Sequence, residues 1–179
     1  MRNIFIFALA LLSIIGCKKD EDIKIDEPEF GSIEVNKNGQ PWDAKVWATK
    51  FLGDTTKLNI SIFKNIDECD ICTEAFHFSN VSKGAGHYNI IKLAPYYPTD
   101  NVGGTFITNV SDGDLVGDIG YPTIDTVNNF LDVEFFDSIN QELYATFSTI
   151  IVLKKPKYDE SLPDTLKFEN GKFKVKVSN

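Results

Sequence analysis

The densest reactive pattern in this 179-residue chain is Cys69-Asp70-Ile71-Cys72, followed by His77 and His87, the two histidines of the sequence. Three chemistries compete for it. A redox dithiol needs a thiol pKa lowered by a helix N-terminus or a nearby cation, whereas Asp67, Glu68, Asp70 and Glu74 surround these sulfurs with negative charge that disfavours the thiolate. A zinc site needs four N or S ligands, and Cys69, Cys72, His77 and His87 could supply them, which makes zinc the one metal cofactor this pattern admits. A disulfide between Cys69 and Cys72 is the reading an oxidising compartment favours.

Other residue types suit binding. Pro95-Tyr96-Tyr97-Pro98 sets two rings on a rigid turn, where they could stack on sugar faces or simply pack their own loop. Trp42 and Trp47 are an odd number of residues apart, on opposite faces of a strand, so Trp47 joins Tyr96 and Tyr97 as a candidate ligand contact while the inner Trp packs beneath the sheet. Asp112-Gly113-Asp114 with Asp118 has oxygen donors at alternate positions, but Val116 and Thr123 stand where an EF-hand loop needs ligands, so an Asp-Gly turn before a strand is expected. No serine-elbow signal accompanies either histidine. A small hydrolase or metal-dependent enzyme using His77, His87 and loop acids is the alternative to a non-enzymatic binding module. Net charge of −8 and a pI near 4.7 leave no basic stripe for a phosphate backbone, which excludes nucleic acid as a partner.

The elements that would position these residues read as strands. Aromatics make up 12% of the chain, with 14 Phe and a single Met, a composition suited to pleated, half-buried surfaces. Period-two alternation runs through Ser32 to Asn36, Trp42 to Phe51, Lys57 to Lys64, Thr73 to Ser79, Gly86 to Leu93, Gly104 to Val110, Asn129 to Asp137 and Glu142 to Leu153. Within them Leu131, Val133 and Phe135 share one face, against Asp132 and Glu134. Asn38-Gly39 marks a hairpin turn. Thr165 to Val177 reads as a second such hairpin, turning at Asn170-Gly171. Roughly nine or ten short strands separated by turn residues predict an all-β fold, a single antiparallel β-sandwich or barrel over residues 30–179.

The N-terminus carries an address. Arg2 precedes an apolar run from Ile4 to Ile15, which as a helix spans about 18 Å, short of the roughly 30 Å bilayer core, so it reads as a signal peptide. Ile14-Ile15-Gly16-Cys17 resembles the lipobox of bacterial lipoproteins. That resemblance implies removal of residues 1–16 and acylation of Cys17, a membrane partnership through the N-terminal lipid. Residues 17–29 read as a polar tether. Their Lys18-Lys19-Asp20-Glu21-Asp22 cluster looks like the signal that sends some lipoproteins to the outer face of the outer membrane; the periplasmic face is the alternative.

The order of Asn38-Gly39-Gln40-Pro41-Trp42, Gly86-His87-Tyr88, the hairpin from Phe135 to Phe147 and Asn170-Gly171-Lys172-Phe173 resembles a family of small all-β bacterial lipoproteins of unknown function. The resemblance covers roughly residues 30–178 and implies fold and address, with no catalytic residue to carry over. One departure is Ala145-Thr146-Phe147, where a glycine would be expected in the place of Ala145. The expected role is binding, with a glycan or an envelope protein as partner. Charge placement adds one more expectation: no Lys or Arg occurs between Lys92 and Lys154, so Asp132 and Glu134 would face Lys174 and Lys176 as cross-strand pairs.

Overall fold

The computed structural model describes residues 29–66, 72–92, 100–110, 115–124 and 127–178. The strands are β1 (Ser32–Lys37), β2 (Gln40–Pro41), β3 (Lys45–Phe51), β4 (Asp54–Asn65), β5 (Thr73–Ser82), β6 (Gly86–Ile91), β7 (Val102–Val110), β8 (Leu115–Pro122), β9 (Phe130–Asp137), β10 (Glu142–Leu153) and β11 (Thr165–Ser178). No helix occurs among the described residues. Eight strands close a barrel in the order β11, β3, β4, β5, β7, β6, β9, β10, with β10 returning to β11. β1 and β2 extend the wall beside β11. β8 fills a fork between β7 and the far end of β10, where β6 and β9 no longer reach.

Alternation is what closes the barrel. β10 buries every second residue from Leu143 to Leu153, and β4 buries Leu58, Ile60 and Ile62. The interior is filled with rings. Phe76 stacks on Phe168 at 5.4 Å, meets Phe78 edge-on at 4.7 Å and lies over Phe147; Phe78 and Phe147 cross at 5.1 Å. Trp42, 6% exposed, packs edge-on against Phe168 at 5.2 Å. Each such buried side chain contributes about 1.5–3 kcal/mol of apolar burial. An eight-stranded barrel either fills its interior with side chains or holds one small ligand there, and here the rings occupy the axis. Any ligand site is therefore sought on the wall or at the mouths.

The fork is secured by Asn129, fully buried, whose Oδ1 accepts from Thr149 Oγ1 and Ile150 N and whose Nδ2 donates to the Thr123 carbonyl and hydroxyl. At one mouth Lys37 Nζ meets both oxygens of Glu74 at 2.6 Å, with Trp42 Nε1 donating to the same carboxylate at 3.2 Å.

Four sequence expectations change. Asn38 and Gly39 both have positive φ and form the predicted turn, but Asn170-Gly171 forms no hairpin: β11 runs through it as one strand of 14 residues. Only Asn170 adopts positive φ there. It makes a bulge, seen as register shifts against both β1 and β10. Gly171 is required because a Cβ would come within 2.2 Å of the Phe147 ring. Secondly, Trp42 precedes β3 and does not share a strand with Trp47. Thirdly, β10 lies between β9 and β11, so Asp132 and Glu134 do not pair with Lys174 and Lys176; Asp132 is opposite His87 and Thr146. Fourthly, Phe135 leaves the inner face, with consequences described next.

Candidate functional site

The turn joining β9 to β10 is built by Asp137, whose carboxylate accepts from the amides of Ile139 and Asn140. Those bonds hold the carboxyl below its ordinary range. From this turn the two strands pair as Asp137 with Glu142 and Phe135 with Tyr144, after which Ala145 pairs with Val133. Glu134 is thus an extra residue in β9. A bulge of this kind re-aims the side chains beyond it. Leu131 and Val133 stay buried, but Phe135 turns outward and is 48% exposed, and Phe136 takes over packing against the core.

On the outer wall Phe135 stacks on Tyr144 with ring centroids 4.2 Å apart and planes 15° from parallel. Lys174 of β11 lies over the other side of Tyr144, 5.3 Å from its centroid, so the stack crosses three neighbouring strands. Lys174 Nζ also meets Glu142 at 3.0 Å. The Tyr144 hydroxyl and the Glu142 carboxylate together raise the Lys174 ammonium above its ordinary value.

This ridge borders a groove of about 420 Å³ lined by Ser32, Ile33, Glu34, Glu134, Tyr144, Lys172, Phe173 and Lys174. Among the described residues, the side chains of Glu34, Glu134 and Lys172 make no ion pair or side-chain hydrogen bond. A second cleft of about 300 Å³ at the barrel mouth is lined by Glu74, Thr108, Asp118, Tyr158 and Asp159 among others. Its polar groups are already committed. Glu74 is held by Lys37 and Trp42, Asp118 accepts from the amides of Tyr158 and Asp159, and Asp159 accepts from Ser161 N. The mouth therefore reads as a structural clamp, whereas the wall groove keeps unpartnered charges and is bordered by the half-exposed Phe135 ring.

The residues singled out from sequence fall elsewhere. Cys17, Cys69, Tyr96 and Tyr97 lie outside the described residues, as do Asp112, Gly113 and Asp114. Cys72 is buried and engaged in a disulfide. Trp47 sits half-buried on the outer wall, its indole N–H donating to Ser178 Oγ at 3.0 Å. On the same wall His77 Nδ1 is 2.9 Å from Ser61 Oγ, and burial lowers its pKa from the ordinary 6.5. A Ser–His pair acts as a nucleophile only with a group that orients the imidazole, and among the described residues no carboxylate bonds to His77. His87 is exposed on β6, stacked on Phe130 at 5.5 Å and 2.5 Å from Asp132. The two histidines thus have separate partners. Among the described residues His, Cys, Asp and Glu nowhere form a group of three that could hold a metal ion.

Phe135 and Tyr144 escaped the sequence reading. Tyr144 was legible as outward from the alternation of β10; the signal for Phe135 was the doubled Phe135-Phe136, which breaks alternation where a bulge inserts a residue. No protein family, curated protein or solved structure matches the chain.

Proposed function

We propose that this chain is a lipid-anchored lipoprotein of the outer membrane, displayed on the cell exterior, whose barrel is a binding module for carbohydrate. The single observation that carries the binding reading is the Phe135–Tyr144 stack beside the groove. The exposed side of the Phe135 ring, next to unpartnered carboxylates and a lysine, matches the amphipathic surface of a sugar, which offers C–H faces and a rim of hydroxyls. Support for the address comes from the apolar run from Ile4 to Ile15 ahead of Gly16-Cys17 and from the tether composition. Two acyl chains anchor stably where one does not.

The test is titration calorimetry of the mature protein against a panel of neutral and acidic oligosaccharides, with Phe135→Ala and Tyr144→Ala beside it. Truncating an aromatic contact residue at the centre of a binding site costs more than about 1.4 kcal/mol, a tenfold loss of affinity. Phe135 lies outside the core, so its removal should lower stability only modestly, by about 0.5–1.5 kcal/mol for the lost stack on Tyr144. Equal affinity of wild type and both variants for every binding oligosaccharide would remove the groove from the account.

A further inference from the structure

Among the described residues, the most exposed apolar side chains are unevenly placed on the barrel. Three large apolar side chains are more than nine-tenths exposed among the described residues: Leu52 at 94%, Ile124 at 101% and Ile139 at 91%. Leu52 and Ile139 occupy the tips of the β3–β4 and β9–β10 turns. Both turns lie at one end, because β3 and β10 flank β11 near its C-terminal residues: Ala48 pairs with Val177, and Glu142 with Lys176. Neighbouring strands are about 4.8 Å apart, which puts the two flanking strands roughly 10 Å from each other. At the opposite end the connection from Lys154 to Asp164 carries Lys155, Lys157, Asp159 and Glu160, with Lys155 paired to Asp164 at 2.5 Å. The exposed apolar side chains of that end, Tyr158 at 61% and Val116 at 46%, are less exposed than Leu52 and Ile139.

Neither tip residue serves the fold. The β3–β4 turn is fixed by Gly53 at φ 89° and by Asp54, which accepts from Thr56 N and Oγ1. The β9–β10 turn is fixed by Asp137 and by Gln141, which has φ 57° and donates to the Ser138 carbonyl. A polar residue at position 52 or 139 would fold as well, so the apolar choice at both tips points outward.

The chain arrives at this same end. Glu29, the first described residue, meets Lys176 at 2.8 Å, and Glu29, Phe30, Ser32 and Glu142 line one shallow cleft there. Residues 17–29 can reach at most about 45 Å when extended. That length lets this end reach any bilayer that holds Cys17, ahead of the far end of the barrel. A surface insertion too weak to hold a free protein suffices once a tether supplies a high local concentration.

We infer that the barrel end bearing Leu52 and Ile139 rests on the lipid surface that anchors the chain, with both side chains inserted among the headgroups and upper acyl carbons. The inference rests on the lipid-anchor reading, and its test separates the two. Full-length protein purified from membranes is labelled with a nitroxide at Leu52→Cys, Ile139→Cys or, at the far end, Glu160→Cys. Each is reconstituted in phosphatidylethanolamine–phosphatidylglycerol vesicles, and collisions with oxygen and with a nickel chelate are measured. Labels at 52 and 139 should gain oxygen collisions and lose nickel collisions relative to the label at 160. Labels at 52 and 139 as open to nickel as the one at 160 would overturn the inference. The mass of the Cys17 peptide and vesicle flotation then tell which premise failed. Acylated, floating protein with aqueous labels means the tether holds the barrel away from the lipid; absence of acylation and flotation means the anchor itself is wrong.

Discussion

His77 sits on the outer wall with its imidazole hydrogen-bonded to Ser61 and partly withdrawn from water. Burial lowers its pKa below the ordinary 6.5, so the folded state binds this proton less readily than the unfolded chain. The unfolded state then holds more protons just below pH 6.5, and stability rises with pH there. Stability should be complete above that pH and fall as pH drops from 6.5 toward the folded-state value. Urea midpoints measured across this window should decline for wild type, and His77→Gln should flatten that part of the curve; an unchanged slope in the variant would assign it to other groups. Asp118 is a second residue whose role is structural. It is 2% exposed, and its two oxygens cap the amides of Tyr158 and Asp159. Asp118→Ala leaves these amides without their acceptor and should cost about 1–3 kcal/mol per group in urea unfolding. An Asn there, keeping one acceptor, should recover part of that loss.

At the scale of elements, bulges decide where side chains face, and bulges are the part of a strand that alternation cannot announce. In β11 the buried positions run Leu166, Phe168, then Gly171, Phe173, Val175 and Val177. A two-residue hairpin at Asn170-Gly171 would put Phe168 and Phe173 on one face just as the bulge does, so pattern alone favours neither. The deciding contact is between Gly171 and the Phe147 ring, from a strand more than twenty residues earlier in the chain. Gly171→Ala should therefore be destabilising by about 1–3 kcal/mol, the usual cost of forcing atoms into a packed core, read as a lowered urea midpoint. Gly39→Ala, where nothing lies within 4 Å, should lose stability only through its φ of 76°. Strand spans such as Glu142–Leu153 were readable because both faces have regular, opposite solvation. The doubled Phe135-Phe136 breaks alternation, but which of the two turns outward depends on the Glu134 bulge, which the pairing with β10 fixes.

At the scale of the whole molecule, the all-β class followed from alternation and turn residues, while barrel closure did not. Closure is set by β10 meeting β11 along ten register pairs, and by β8 and β6–β9 sharing the gap between β7 and β10. With the interior filled, the proposed ligand site is on the wall, and the groove lies on the half of the barrel where the chain arrives. On the lipid-anchor proposal, its ligand would be met close to the membrane. The most direct test of groove binding is amide chemical-shift mapping of the isotope-labelled mature protein as an oligosaccharide that binds in calorimetry is added. The account predicts shifts concentrated at Ser32 to Glu34, Glu134 to Phe136, Tyr144 and Lys172 to Lys174, with Ser61 and His77 unmoved. Shifts centred on Ser61, His77 and Trp47 with the groove silent would contradict it.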